Sequence, residues 1–136
     1  MPTTLVHVGV AASDLDRSLT FWRDTLGLRL LDSRSGIAVL TDGAHNITVF
    51  AYSGDRPANP PGHQGYLHIG VQVDDLPAAL ARCLAAGHEI VCDDIDHGLP
   101  YDPAHPPTES FKVQDPDGIV VDITANPTQW LGVTPH

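Results

Sequence analysis

The chain has 136 residues, of which 42% are hydrophobic, enough to build the core of one domain of ordinary size. Its 17 acidic residues against 7 lysines and arginines give a formal net charge of -10, which repels nucleic-acid phosphates and anionic membrane surfaces, so we expect neither as a partner. No apolar run approaches the roughly 20 residues of a bilayer crossing and the first residues do not resemble a secretion signal, so we expect a cytoplasmic protein.

The first part of the chain predicts a βαβββ module at about residues 4–52. Its first strand, residues 4–11, is dense in Val and Leu. A helix follows, with Ser13 as the predicted N-cap and Gly27 at its end, and its apolar residues recur at helical spacing: Leu15, Leu19, Trp22 and Leu26. Three short strands complete the module, at about 28–33, 36–41 and 45–52.

A segment rich in Pro and Gly, residues 53–65, predicts a linker, after which the pattern starts again. The second module covers about residues 66–124, and residues 125–136 form a tail. Its predicted elements are a strand, a helix and three further strands, at about 66–73, 75–86, 88–93, 109–114 and 118–124. We therefore expect one α+β domain, residues 1–136, that consists of two βαβββ modules.

The connection at residues 94–108, within the second module, is longer than most loops of a compact domain, and such loops are often functional. It carries three polar side chains that can exchange protons or bind a ligand: His97, Tyr101 and His105. We expect this loop to cover the site and one of these residues to act as the acid or base. The sequence does not choose among them.

Two histidines occupy the same place in the two modules, His7 and His68, 61 positions apart. Side chains alternate across a strand, so each histidine lies opposite an apolar face, and Asp122 lies on the polar face of the last strand. A carboxylate inside an apolar strand needs a partner. A single such histidine is more often a core or surface group than a ligand, but the combination predicts a 2-His-1-carboxylate metal site.

These residues lie in motifs that resemble the vicinal oxygen chelate superfamily of glyoxalases, extradiol dioxygenases, fosfomycin-resistance transferases, epimerases and bleomycin-binding proteins. The resemblance extends from His7 to Asp122 and includes the segment Phe21–Gly27 and the turn Asp115–Gly118. It implies a cup-shaped, partly open mixed β-sheet barrel with the helices outside. It also implies that His7, His68 and Asp122 are the metal ligands, although the family commonly has Glu where this chain has Asp122.

The family often exchanges modules between chains, so the resemblance implies a homodimer, with composite sites if the exchange occurs. Glyoxalases tend to have a fourth ligand on the last strand of the first module, where this chain offers only Asn46 and Thr48. Three ligands leave room for a substrate with vicinal oxygens and for dioxygen. We expect Asn46, Thr48, Phe50 and Tyr66 to contact the substrate, the last two through their aromatic rings.

The sequence-based hypothesis is therefore a dioxygenase that uses Fe(II), with Mn(II), Zn(II) or Ni(II) as alternatives, and acts on a small phenolic or quinoid substrate. One alternative is a metal-free binding protein of the bleomycin-resistance type, which would generally lack the ligand set. Another is a metal-dependent lyase, isomerase or transferase on the same scaffold. The need for a second cofactor such as flavin stays open.

Overall fold

The computed structural model describes residues 5, 7–51, 68–92, 99–129 and 131. The chain divides into two compact units, which we call unit 1 (Met1–Gly65) and unit 2 (Tyr66–His136). Of the predicted site residues, Tyr66 and His97 lie outside the described residues. No helix in the described part of the chain is long and apolar enough to cross a bilayer.

Unit 1 contains a four-stranded sheet with the strand order β1-β4-β3-β2. Strand β1 runs parallel to β4, whereas β3 is antiparallel to both of its neighbours. A helix α1 follows β1 and continues directly into a π-helical turn. The elements are β1 (His7–Ala12), α1 (Leu15–Leu19), the π-helical turn (Thr20–Thr25), β2 (Arg29–Arg34), β3 (Ile37–Thr41) and β4 (Asn46–Ala51).

The helix of unit 1 ends as predicted, with Gly27 just past the C-cap at a positive φ of 86°, but its N-cap and the type of its last turn differ from the prediction. The N-cap is Asp14 and not Ser13, because the Asp14 carboxylate accepts a hydrogen bond from the backbone N–H of Arg17 at 3.1 Å. At its C-terminal end the helix widens, which reduces the rotation between successive side chains. The neighbours Phe21 and Trp22 are both buried there and contact each other edge to face.

Unit 2 repeats the same topology in a five-stranded sheet with the order β5-β9-β8-β6-β7. Strand β5 is parallel to β9, as β1 is to β4, and β8 is antiparallel to β9 and β6. The elements are β5 (Ile69–Gln72), α2 (Leu76–Ala85), β6 (Ile90–Cys92), β7 (Leu99–Pro100), β8 (Ser110–Gln114), β9 (Val120–Thr124) and a short 3-10 helix (Pro127–Gln129).

The structure confirms the α+β class and the two βαβββ modules. One strand was not expected from the sequence: β7 comes from the long connection and pairs with β6 at the edge of the sheet. A strand of two residues has no periodicity to detect, so the pattern could not reveal it.

The helical pattern of α2 predicts a buried stripe of Leu76, Leu80, Cys83 and Leu84. The first three are buried, whereas Leu84 is 39% exposed. Burial raises the pKa of the Cys83 thiol to about 11, so the thiol stays protonated at neutral pH and belongs to the core. Every residue of β9 is buried, on both faces of the sheet. The carboxylate of Asp122 therefore lies in a strand that is shielded from solvent.

Candidate metal centre

His7, in unit 1, is held by the side chain next to it in the parallel pair of strands. Asn46 is its register partner on β4, and its Oδ1 lies 2.6 Å from Nδ1 of His7. The amide oxygen can only accept, so Nδ1 carries the hydrogen and donates it. The hydroxyl of Thr48 donates to the same oxygen at 2.7 Å. This arrangement fixes the imidazole and leaves the lone pair on Nε2 for a ligand.

Gly9 leaves open surface between the imidazole of His7 and the ring of Phe50. A Cβ atom on Gly9 would lie 3.7 Å from Nε2 of His7 and 3.6 Å from Cε2 of Phe50. The free imidazole nitrogen and the half-buried aromatic ring therefore border the same patch of β1 backbone. Within unit 1, the structure brings together four of the predicted site residues: His7, Asn46, Thr48 and Phe50.

His68 and Asp122 form the corresponding pair in unit 2. His68 lies one residue before β5, and Asp122 lies in β9, with 4.0 Å between Nε2 of His68 and Oδ2 of Asp122. This separation is too long for a hydrogen bond. It is within the span of two ligands that each lie about 2.1 Å from one cation. The Asp122 side chain is 8% exposed and that of His68 is 28% exposed.

Two polar atoms of this pair have no hydrogen-bond partner among the described residues: Oδ1 of Asp122 and Nδ1 of His68. Both atoms are buried. A buried carboxylate oxygen without a partner is destabilising, and a bound cation is one of the few groups that can satisfy it. The pair therefore fits a divalent metal ion in the chemistry of its donors and in the unsatisfied carboxylate oxygen of Asp122, whereas Nδ1 of His68 is the ring nitrogen that does not face Asp122 and needs a separate partner.

Lys112 is a third member of the group in unit 2, and the sequence analysis missed it. Its Nζ lies 3.1 Å from Oδ2 of Asp122, and its side chain is 12% exposed. Lys112 on β8 is directly opposite Asp122 in the antiparallel ladder. The partner that the buried carboxylate needs is therefore, in part, a lysine.

The signal for Lys112 was present in the hairpin turn at Asp115–Gly118. The carboxylate of Asp115 accepts hydrogen bonds from the backbone N–H groups of Asp117 and Ile119, which fixes the turn and the register of β8 against β9. The closing pair of this hairpin is Asp115 and Ile119, and counting residue pairs outward from it places Lys112 opposite Asp122. The predicted four-residue turn, with Asp115 opposite Gly118, would instead place Lys112 opposite Val121, so the turn gives the correct partner only when the extra loop residue is known.

The two units differ at one equivalent position. In unit 1 the residue of the closing strand that pairs with Gly9 is Thr48, and in unit 2 the residue that pairs with Gly70 is Asp122. Each glycine lies two positions after the histidine of its unit. Unit 1 thus has a hydroxyl where unit 2 has a carboxylate.

The described residues of the long connection lie in or near an exposed turn. His105 is 85% exposed, and its Nδ1 is 2.9 Å from the carboxylate of Asp102. The hydrogen bonds from His105 and from the backbone N–H of Ala104 lower the pKa of Asp102. Tyr101 is half-buried. The local contact explains why His105 has a fixed position, and its predicted catalytic role stays a prediction.

Imidazole nitrogen and carboxylate oxygen are ligands that suit Fe, Mn, Ni and Zn. His68 and Asp122 come from one unit, and His7, whose orientation is fixed by Asn46, comes from the other. No group of three or more His, Cys, Asp or Glu side chains that could hold a metal ion is present among the residues that the structure describes.

Comparison with known proteins gives a consistent assignment. A relative from Serratia marcescens, "Glutathione transferase FosA", is 32% identical over 120 residues, which cover 87% of this chain and 77% of that protein. Among solved structures, "Oxidase ChaP-H2" has a TM-score of 0.60 at 20% identity and covers 93% of this chain and 96% of its own. Lactoylglutathione lyase from Agrobacterium tumefaciens has a TM-score of 0.58 at 21% identity, with 90% and 93% covered.

At these identities the two solved structures show only that the fold is shared. The three proteins are named as a transferase, an oxidase and a lyase, so their names do not agree on one reaction. The family model of the Glyoxalase/Bleomycin resistance protein/Dioxygenase superfamily matches residues 4–123, nearly the whole of both modules. The chain therefore belongs to the Glyoxalase/Bleomycin resistance protein/Dioxygenase superfamily.

Proposed function

We propose that this chain is a metal-dependent enzyme that binds a small substrate through adjacent oxygen atoms. The proposed protein ligands are His7, His68 and Asp122. The observation that carries the proposal is the buried carboxylate of Asp122, which lies beside His68 and has one oxygen without a partner among the described residues. A divalent cation at these ligands would stabilise negative charge that develops on the substrate oxygens.

The residues around the ligands have separate roles in this proposal. Asn46 orients His7 through the hydrogen bond to Nδ1, and Thr48 holds Asn46. Lys112 holds one oxygen of Asp122. Phe50 and, by the sequence-based expectation, Tyr66 provide aromatic surface for the substrate, whereas His97, Tyr101 and His105 are the candidates for proton transfer.

The first test is metal binding. Protein purified without chelators is analysed for bound metals, and the affinities for Fe(II), Mn(II), Zn(II) and Ni(II) are measured by anaerobic titration calorimetry. We expect His7→Ala, His68→Ala and Asp122→Asn each to weaken binding at least tenfold, with His88→Ala as a histidine control outside the site. Unchanged affinity in all three variants would refute the ligand assignment.

We propose a dioxygenase as the first specific reaction, with Fe(II) as the metal and a small phenolic or quinoid compound as the substrate. Support comes from Thr48, which stands where a fourth carboxylate ligand would lie, so that coordination positions stay free for substrate and dioxygen. The ring of Phe50 beside His7 and Gly9 supports a planar substrate.

Oxygen consumption tests this reaction. The Fe(II)-loaded protein is mixed with a panel of catechols and hydroxyquinones, and oxygen uptake is recorded together with the absorption spectrum. We expect uptake that depends on both Fe(II) and substrate and that is lost in His68→Ala. Metal binding without oxygen uptake for any member of the panel would exclude this substrate class and leave the metal site intact.

A second candidate is the transfer of glutathione to a small electrophile. The similarity to the Serratia glutathione transferase favours it, and so does Lys112, a shielded cation beside Asp122 that suits an anionic substrate. The test measures loss of glutathione thiol with fosfomycin and other small epoxides, in protein loaded with Mn(II) or Zn(II). Metal-dependent thiol loss would support transfer, and its absence for every electrophile would exclude it.

A third possibility, metal-free sequestration of a small molecule, predicts tight ligand binding that is unchanged in His68→Ala. We also propose a homodimer, with modules exchanged between chains as an alternative arrangement. Light scattering during size-exclusion chromatography tests the dimer, and a mass of 14.5 kDa, that of one chain, would contradict it.

A further inference from the structure

Lys112 lies beside the candidate ligands of unit 2 without being a metal ligand itself. It is a lysine with a side chain only 12% exposed, which is unusual because an ammonium group is costly to shield from water without a partner. One partner of its ammonium is Oδ2 of Asp122 at 3.1 Å. The same carboxylate is the proposed metal ligand, so the ammonium of Lys112 and the proposed metal ion would share it.

The register of the sheet makes this contact a fixed feature. Lys112 pairs directly with Asp122 on one side and with Val91 on the other, so its side chain is on the same face of the sheet as the carboxylate. The turn at Asp115 and Gly118 fixes this register through backbone hydrogen bonds to the Asp115 carboxylate and a positive φ of 86° at Gly118.

The two oxygens of Asp122 are in different environments. Oδ2 faces the ammonium of Lys112, whereas Oδ1 is buried without a hydrogen-bond partner among the described residues. The lysine therefore neutralises the carboxylate without using both of its oxygens. A metal ion bound by Asp122 and His68 would lie close to a fixed positive charge, and like charges at such distances repel strongly in a shielded site.

We propose that Lys112 is an internal counter-ion that competes with the metal for Asp122. It stabilises the fold when no metal is bound, and it lowers the affinity of the site for divalent cations. By this effect it favours metals that bind imidazole strongly, such as Zn(II), Ni(II) and Fe(II), over Mg(II) and Ca(II), which depend on carboxylate charge. This inference rests on the proposed metal site and assigns a specificity-determining role to a residue of that site.

The test removes the charge of Lys112 and measures the stability of the metal-free protein and its affinity for metal. We expect the stability to fall and the affinity to rise. In Lys112→Met the midpoint of thermal unfolding of the metal-free protein is expected to fall, because Asp122 loses its counter-ion. The dissociation constant for Zn(II), measured by competition with a chelating dye, is expected to fall at least tenfold. Binding of Mg(II) is expected to gain more than binding of Zn(II), since Mg(II) depends more on the net charge of the ligands.

Two variants guard against a failure to fold. Lys112→Gln keeps a donor for Oδ2 without the charge and is expected to bind Zn(II) more tightly than the unmodified protein. Lys112→Arg keeps the charge and is expected to bind with unchanged affinity within about threefold. Arg34→Gln removes a positive charge from an ion pair with a 76% exposed side chain in unit 1, and it controls for net charge alone.

The outcomes separate this inference from the proposed function. Tighter Zn(II) binding in Lys112→Met and Lys112→Gln, absent in Arg34→Gln, supports the counter-ion. If the unmodified protein binds Zn(II) through His68 and Asp122 but the two lysine variants bind equally or more weakly, the inference is wrong and the metal site stands. If neither the unmodified protein nor any variant binds metal, the proposed site and the competition both fail.

Discussion

Unit 1 and unit 2 place the same histidine and glycine on the same strand of the same topology, yet they surround the histidine with different chemistry. In unit 1 the side chains near His7 are neutral, Asn46 and Thr48, and they form a chain of hydrogen bonds. In unit 2 the neighbour of His68 is a carboxylate, Asp122, which is itself paired with the ammonium of Lys112. A duplicated module can thus keep the same histidine while one copy surrounds it with neutral hydrogen-bonding groups and the other places a charged group beside it.

The largest expected difference between the units is the loss of stability of the metal-free protein when the side chain at the equivalent position, Asp122 or Thr48, is shortened to alanine. Asp122→Ala removes the carboxylate that faces the shielded ammonium of Lys112 at 3.1 Å and should lower the free energy of unfolding by about 3–5 kcal/mol. Thr48→Ala, at the equivalent position, removes one neutral hydrogen bond and should cost about 1 kcal/mol. Urea unfolding measures both, and equal losses would contradict the contrast.

The next effect concerns metal affinity in unit 1. Asn46→Ala frees the imidazole of His7 to rotate and to change tautomer, and the loss of such a supporting hydrogen bond typically weakens metal binding about 10–100-fold. Thr48→Val, which keeps the shape and removes only the donor to Asn46, should have a smaller effect. Titration calorimetry with Zn(II) decides the matter. An unchanged affinity in Asn46→Ala would remove the orienting role of unit 1.

A smaller effect is the pH dependence of stability that comes from two similar turns, that of Asp42 in unit 1 and that of Asp102 in unit 2. Partial burial would raise the pKa of Asp42, but hydrogen bonds from the His45 ring and from the backbone of Ala44 and His45 outweigh it and lower the pKa to about 2. A carboxyl whose pKa is lowered by folding adds stability above its unfolded value, near 3.8, and loses it as the pH falls toward 2.

Asp42 is 43% exposed, so solvent screening should reduce this contribution to less than about 1 kcal/mol. The difference in urea midpoint between the unmodified protein and Asp42→Asn should therefore shrink between pH 5 and pH 2. Asp102→Asn is the matched variant in unit 2, where the Asp102 carboxyl also has a lowered pKa. A difference independent of pH would show that the Asp42 carboxylate charge does not stabilise its turn.

The smallest expected effect is that of Gly9→Ala. The new methyl group would meet Phe50 and His7 at 3.6–3.7 Å, which is ordinary van der Waals contact, and alanine loses less backbone entropy in a strand than glycine. We expect stability to rise by about 0.5 kcal/mol. Gly9→Val should be destabilising because its branched side chain would press on the ring of Phe50. A loss of stability in Gly9→Ala would show that the backbone at Gly9 is under closer constraint.

Much of the fold was predictable because its elements are periodic. Alternating and helical spacings identified both modules, and the alternation in β9 separated Asp122 from the apolar face. What the sequence did not reveal has no period: the two-residue strand β7, the widening of the helix after Leu19, and the choice of Asp14 over Ser13 as the cap. Each of these depends on contacts between residues or on a single side-chain geometry.

The site shows the same division. A repeat and a strand pattern single out His7, His68 and Asp122 as predicted ligands, and the structure brings two of them, His68 and Asp122, to 4.0 Å. Lys112 was missed because a lysine in a strand gives no signal of its own, and only its cross-strand register reveals its partner. His105 was singled out for its loop, whereas its contact with Asp102 is a local turn interaction.

Strand β7 has a consequence for the behaviour of the protein in concentrated solution. An unpaired edge invites strands of other molecules to add to it, and natural sheets often block this with short strands and prolines. Leu99–Pro100 covers the open side of β6, and Pro100 has no N–H to offer to an incoming chain. The connection in unit 2 thus places at this edge a two-residue strand with a proline, a combination that opposes the addition of a strand from another molecule.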